Sequence, residues 1–322
     1  MLVVIGLGGG ALAIRGQPIT AEGQRAQLRL VAQRLAPLAR KHRLVVEHGA
    51  GPQAGLLGMQ AAVYAQVETY PIDVSGAQIE AMTGHVLEQE LANLLAPGQT
   101  FATLLTMAEV DLDDPAFRYP SKFIGPVYLR EEAEHLSEDK GWVFKPEGDK
   151  WRRVVASPEP KHIFELRAIE RLVRHGTIVI ASGGGGVPAT YEKGPSPRLV
   201  GVDCLIDTDM AAQLLARELE ADLFLMITDV DAVYADWGRP TQKAIRRASP
   251  QALRSLSLAA GSMEPKVDAA CRFAEATGKA AVIGALQDLD RIVAGRAGTT
   301  ISSDEDGVTC DAAIPVAKAR SS

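Results

Sequence analysis

Met1-Leu-Val-Val-Ile-Gly-Leu-Gly-Gly-Gly10 opens the chain with an apolar run that breaks into glycines after five residues. A short run of β-branched and aliphatic residues bounded by a turn signal reads as a buried strand, here over Leu2–Ile5. The run lacks a basic leader and is too short for a signal-peptide core, so a strand is the better reading. The pattern recurs twice. Leu44-Val-Val46 runs at once into His48-Gly-Ala-Gly-Pro52, and Thr177–Ala181 runs into Gly183-Gly-Gly-Gly186. Strands that end in glycine turns and alternate with amphipathic stretches imply a mostly parallel sheet covered by helices.

Working outward, Thr20 is placed to N-cap a helix reaching about Ala39, with its apolar residues on one face. Helices are expected over Gln53–Ala65, Val74–Leu95, Phe164–His175, Met210–Leu219 and Ser262–Thr277. Further strands are expected over Thr100–Leu105, Leu223–Ile227 and Ala280–Ile283. From Asp111 to Lys161 the texture changes: prolines 115, 120, 126, 146, 158 and 160 punctuate a charged stretch with two tryptophans. Some 50 loosely patterned residues inside a compact core are unusual, which marks an inserted subdomain or lid. The division expected is an N-lobe of residues 1–110 and 162–200, the insertion at 111–161, and a C-lobe of residues 201–322 built on the same sheet.

With 322 residues, the chain has room for about two domains. Its 34 Lys+Arg against 40 Asp+Glu leave a net charge of −6, the wrong sign for a general nucleic-acid binder. No run of 18 apolar residues predicts a membrane span. Cys204, Cys271 and Cys310 are widely spaced and fit no zinc pattern, so they read as small buried thiols in a reducing cytoplasm.

At the carboxyl edge of a parallel sheet, glycine turns face the usual ligand crevice. Glycine lets backbone N–H groups approach an anion, and a following helix N-terminus adds favourable partial charge. One such turn is equally well a tight strand-to-helix connection; three on one edge point to phosphate. Gly6-Leu-Gly8-Gly-Gly-Ala11 fits the dinucleotide fingerprint, but the acidic residue ending the next strand, Glu47, lies beyond a long helix and too far on. No phosphate-binding P-loop and no protein-kinase signature occurs.

These residues resemble the amino-acid-kinase superfamily and, within it, the carbamate kinases. The resemblance runs nearly end to end. It takes in Leu7-Gly-Gly9, His48-Gly-Ala-Gly-Pro-Gln53, Tyr70-Pro-Ile-Asp73, Gly76-Ala-Gln78 and Glu88-Gln-Glu90, then Val110-Asp-Leu-Asp-Asp-Pro-Ala-Phe117, Lys122-Phe-Ile-Gly-Pro-Val127 and Trp151-Arg-Arg-Val-Val155. Gly183–Pro188, Thr228–Tyr234, Arg246-Arg-Ala248, Ala260-Gly-Ser-Met263 and Pro265-Lys266 follow in order. The resemblance implies a three-layer α/β/α sandwich with a central, mainly parallel sheet and a protruding subdomain. It further implies a cytoplasmic homodimer that moves phosphate between ATP and carbamate, in arginine fermentation toward ATP.

It also implies roles. The acceptor is bound by Gly8, Gly9, Gly10, Gly49, Ala50, Gly51, Gly183 and Gly184. Lys122, from the subdomain, reaches the phosphate or carbamate; Lys266 grips ATP phosphates; Asp209 orients the lysines, a position equally compatible with a helix N-cap. Asp229, Tyr234 and Met263 match nucleotide-lobe contacts, with a turn aspartate and a half-buried tyrosine as the alternative for the first two. ATP or ADP is accompanied by Mg²⁺ held through its phosphates, with no dedicated protein ligands assigned. His48 reads as orienting its loop.

Four positions depart from the family pattern: Gly10 and Ala50 replace asparagines, Thr208 replaces a lysine, and Glu264 replaces a glycine. Thr208 carries the catalytic position with a hydroxyl instead of a charge. Loss of one positioned donor costs about 10²–10³ in rate. Glu264 places a negative charge within a turn of Lys266. Three readings therefore stand: a working carbamate kinase, a relative with another acceptor, and a silent ligand-binding or assembly subunit.

Overall fold

The opening run extends two residues past expectation: β1 spans Leu2–Leu7 and is buried throughout. The computed structural model describes residues 1–12, 20–63, 70–256 and 263–311. A short α1 (Gly9–Leu12) follows, then α2 (Ala21–Ala39), whose N-cap is Thr20, its hydroxyl accepting from Gly23 N–H at 3.0 Å. Next come β2 (Arg43–His48), α3 (Gly51–Val63), α4 (Ile72–Ala92) and β3 (Phe101–Thr103). Residues 64–65 of the helix expected after Gln53, and Ala260–Ser262 of the second-half motif, lie outside the described residues.

Strand β4 (Met107–Glu109) leaves the main sheet. Beyond it, β5 (Lys122–Tyr128), α5 (Arg130–Lys140), β6 (Val143–Glu147) and β7 (Lys150–Val155) form a separate antiparallel sheet in the order β5-β7-β6, carrying the helix. The chain returns through β8 (His162–Ile163), α6 (Leu166–Arg174) and β9 (Ile178–Ile180), then β10 (Val187–Tyr191) and β11 (Leu199–Gly201). A small sheet runs in the order β11-β10-β4-β8.

The second half contributes α7 (Thr208–Glu218), β12 (Leu223–Thr228), β13 (Val233–Ala235), β14 (Lys243–Ala248), α8 (Pro250–Arg254), α9 (Met263–Thr277), β15 (Ala281–Ala285), α10 (Leu289–Val293), β16 (Thr299–Ile301) and β17 (Val308–Cys310). The central sheet is ordered β13-β14-β16-β15-β12-β1-β2-β9-β3, with β17 on β14. From β15 through β3 every pairing is parallel; antiparallel pairs are confined to the β13–β17 side.

Alternation along β1 explains the three layers. Val3, Ile5 and Leu7 pack with residues of α2, α4 and α10 on one face, while Leu2 and Val4 join those of α6, α7 and α9 on the other. A strand buried on both faces reads as a continuous apolar run, which is what the first residues display. Gly6 faces α7, where a Cβ would lie 3.1 Å from Ala212 Cβ; its absence lets that helix lie close over the strand. No helix among the described residues is long and apolar enough to cross a membrane.

Candidate functional site

Because β1, β2, β9 and β12 run parallel, their carboxyl ends share one edge, and the glycine turns meet there. A Cβ on Gly49 would lie 2.9 Å from Gly9 N, and one on Gly184 would lie 2.8 Å from Ala50 Cβ. The turns after β1, β2 and β9 thus touch in sequence order, and backbone replaces side chains where they meet. Gly8 N–H donates to Ile227 C=O at 2.8 Å and Gly49 N–H to Leu7 C=O at 2.7 Å, which fixes the first two turns to the sheet. Gly51 begins α3.

The third turn is held from beneath. Glu80, on the buried face of α4, accepts from Gly183 N–H at 2.9 Å and from Thr106 N–H at 3.0 Å. Ser182 N–H donates to the Thr106 hydroxyl at 3.0 Å, and Ser182 sits in the left-handed region at φ 57°. Burial pushes the Glu80 carboxyl up to about 8, against the opposing pull of those N–H groups. His48 is fully buried, with Nδ1–H donating to Gly49 C=O at 3.0 Å. Burial lowers its pKa, so the ring is neutral, and Nε2 lies 2.3 Å from where a Cβ of Gly183 would be. The imidazole wedges the second turn against the third, the orienting part expected of it.

Facing the turns is the start of α7. Asp207 is its N-cap, the carboxylate accepting from Asp209 N–H at 3.0 Å. The cap is therefore Asp207; Asp209 lies inside the first turn and uses its side chain otherwise, both oxygens accepting from Lys266 Nζ at 2.9 Å. Lys122 Nζ, from the far sheet, donates to Asp207 at 2.6 Å. Two lysines from distant parts of the chain thus converge on one helical turn, each paired to one aspartate, with Thr208 between. Burial would raise Asp207, but Lys122 and the N–H groups of Asp209 and Met210 outweigh it and hold the carboxyl below its ordinary value. For Asp209 burial prevails over Lys266, with help from the neighbouring Asp207 charge, and its pKa rises.

Lys266 is buried, its ammonium lying 3.4 Å and its Cε 3.2 Å from where a Cβ of Gly8 would be. The first glycine turn is open because the lysine lies across it. Gly10 abuts Asp229, whose carboxyl carbon is 3.2 Å from where a Cβ on Gly10 would be, so a larger residue there displaces that aspartate. Tyr234 donates to Asp231 at 2.8 Å and meets Trp237 edge-on at 5.1 Å between ring centroids, away from the two lysine pairs along the chain. Burial, with Asp231 adding to it, pushes the Tyr234 hydroxyl up to about 12. Met263 is half-buried against the α7–α9 core, and Glu264 is exposed on the first turn of α9.

Sequence reasoning missed Asp207, Glu47 and Glu80. Glu47 is on β2 opposite Gly6, buried on the α7 side, with Oε1 lacking a hydrogen-bond partner among the described residues. Burial, then the Asp209 charge, raises its pKa well above the ordinary carboxylate value. The available signal was an acidic residue inside an otherwise apolar strand or helix face. A cavity of about 320 Å³ adjoins Ala50 and Gly184, walled by Leu57, Ile79, Tyr128 and Trp142. Cys204 and Cys271 are buried free thiols, raised to about 12 and about 11 chiefly by burial.

Adjoining glycine turns, Lys266 across the first of them, Lys122 on the neighbouring Asp207 and a helix N-terminus make an anion cradle suited to phosphoryl groups. The model of the amino acid kinase family matches residues 1–285, and the chain belongs to that family of phosphotransferases. It is 51% identical over 316 residues to the carbamate kinase of Rhizobium meliloti (strain 1021), covering 98% of each chain. It is also 51% identical over 309 residues to the carbamate kinase of Haemophilus influenzae, covering 96% of this chain and 99% of the other. Among solved structures, the carbamate kinase from Giardia lamblia bound to AMP-PNP superposes with a TM-score of 0.87 at 31% identity, over 94% of this chain and 98% of that one.

Proposed function

We propose that the protein is a carbamate kinase-like phosphotransferase that moves a phosphoryl group between carbamoyl phosphate and ADP, with ATP and carbamate on the other side. The observation that carries this is the pairing of Lys122 with Asp207 and Lys266 with Asp209 on one helical turn beside the glycine turns. Phosphoryl transfer demands little covalent help and much positioned positive charge, because the transition state spreads negative charge over equatorial oxygens. An oxygen of the ADP β-phosphate attacks phosphorus, the bond to the carbamoyl oxygen breaks, and its electron pair leaves with carbamate.

In this assignment Gly9, Gly10, Ala50, Gly51 and Gly184 bring backbone N–H groups to the acceptor and the phosphoryl oxygens, while the N–H groups of Gly8, Gly49 and Gly183 hold the turns in place. Lys266 exchanges part of its contact with Asp209 for nucleotide phosphate, and Lys122 does the same from Asp207. Asp229, Tyr234 and Met263 belong to the nucleotide side, in residues 201–322; residues 1–110 and 162–200 form the acceptor side, and 111–161 the covering subdomain. Mg²⁺, bound through the nucleotide phosphates, supplies charge neutralisation there. A cytoplasmic homodimer serving arginine breakdown completes the proposal; light scattering checks the dimer.

Phosphorus NMR of the protein with carbamoyl phosphate, ADP and Mg²⁺ tests it. The carbamoyl phosphate signal is expected to give way to the γ-phosphorus of ATP faster than in a protein-free control. Loss of carbamoyl phosphate to inorganic phosphate alone contradicts the assignment. The cavity beside Ala50 favours a second reading, a wider choice of acceptor.

A further inference from the structure

The geometry points to an acceptor larger than carbamate: the cavity beside Ala50 seats the apolar substituent of a carboxylate or N-substituted carbamate whose carboxylate oxygen takes the phosphoryl group. The inference rests on the phosphotransferase assignment above and names its substrate class. Its first support is continuity. Ala50, Gly184 and Ile206 line the cavity, and the same residues belong to the second glycine turn, to the third, and to the position directly before Asp207. Ile124 lines it too, two residues after Lys122 on β5. The cavity therefore adjoins the segments that carry the lysine pairs.

The second support is chemistry. Carbamate is a small, wholly polar ion. The lining is mainly apolar, with Leu57, Ile79, Ile124 and Ile206, while Gln78 and Arg153 add polar groups. Ala50 presents a methyl group where the turns meet, so its side chain adds apolar surface there and only its backbone can hydrogen-bond an acceptor. At about 30 Å³ per water, a 320 Å³ cavity has space on the order of ten waters, in the size range of small-molecule sites. Such a site, lined mainly by apolar side chains with a few polar groups, suits an amphipathic ligand.

The third support is that the subdomain wall is braced. The Arg153 guanidinium stacks on Trp142 at 4.1 Å from the ring centroid, and Tyr128 meets Phe144 edge-on at 5.5 Å. Arg152 donates to Gly125 C=O at 2.8 Å, fixing the backbone of β5 where it lines the cavity. The aromatic wall has a defined shape against which an apolar group packs.

The forward step balances without a further reactant. A carboxylate oxygen attacks the γ-phosphorus of ATP, the bond to the β-phosphate oxygen breaks, and that electron pair leaves with ADP to give an acyl phosphate. The test uses the full chain with Mg²⁺ and ATP, and acetate, butyrate and phenylacetate as probes. Acyl phosphate is trapped as the hydroxamate with hydroxylamine, and binding of each acid is measured by calorimetry in the presence of AMP-PNP. Phenylacetate is expected to bind and react at least about 10-fold better than acetate, since even one methylene in an apolar pocket discriminates by that order. Ala54→Phe, which fills the cavity from α3, is expected to remove that preference while ATP formation from carbamoyl phosphate persists. Binding of phenylacetate without hydroxamate formation overturns the acceptor assignment. Absence of both, with carbamoyl phosphate still used, overturns the inference and leaves the phosphotransferase reading in place.

Discussion

At Gly183 the demand for a missing side chain is most direct. A Cβ there would fall 2.3 Å from His48 Nε2 and 3.1 Å from Glu80 Cγ, distances that force one of the three to move. Gly183→Ala is therefore expected to destabilise the protein by about 1–3 kcal/mol, measured by urea denaturation, with phosphoryl transfer falling alongside. Removing the opposing ring relieves part of this. In a double-mutant cycle with His48→Ala, the two substitutions together are expected to cost less than their sum; simple additivity would show that the two residues do not press on each other. The residue scale also explains why Lys122, Asp209 and Lys266 were accessible from sequence while Asp207 was not. The lysines stand in motifs, whereas Asp207 gains its part only when β5 brings Lys122 across to it, 85 positions away along the chain.

The elements were legible where local chemistry decides them. Thr20 caps α2 as its position implied, and the hydroxyl satisfies an N–H that the helix itself cannot. Thr20→Ala is expected to cost about 1 kcal/mol, typical of a lost cap, read as a shift of the denaturation midpoint without a change in slope; no shift would mean the cap contributes nothing. The turns after β1, β2 and β9 were readable as apolar run followed by glycine. The buried carboxylates near them were not: Glu47 and Glu80 look like ordinary solvated acids until the register places Glu47 under α7 and the helix face places Glu80 under the third turn. The cavity was illegible for the same reason, its walls coming from α3, α4, β5 and the segment before α7.

For the whole molecule, the buried acids set a pH dependence. The Glu80 carboxyl titrates near 4.5 when unfolded and at about 8 in the native state. Between those values the native state holds a proton that the unfolded chain has released, so stability falls as pH rises across the window and levels off above it. The slope from this one group is at most about 1.4 kcal/mol per pH unit, and Glu47 acts in the same direction. Denaturant midpoints measured from pH 5 to pH 8 are expected to decline, less steeply in Glu80→Gln; an identical slope in the variant would place the dependence elsewhere.

Charge at the molecule's centre carries the account. Asp207 and Asp209 balance Lys122 and Lys266, so Thr208 leaves the turn without the surplus cation that a lysine supplies. The most direct measurement is the rate of ATP formation from carbamoyl phosphate and ADP with Mg²⁺ in the natural protein, Lys266→Met and Thr208→Lys. Turnover in the natural protein, about 10²–10³-fold lower in Lys266→Met and higher in Thr208→Lys, is the predicted result. A natural protein that makes no ATP, while Thr208→Lys does, would contradict it and show a kinase fold retained without the reaction.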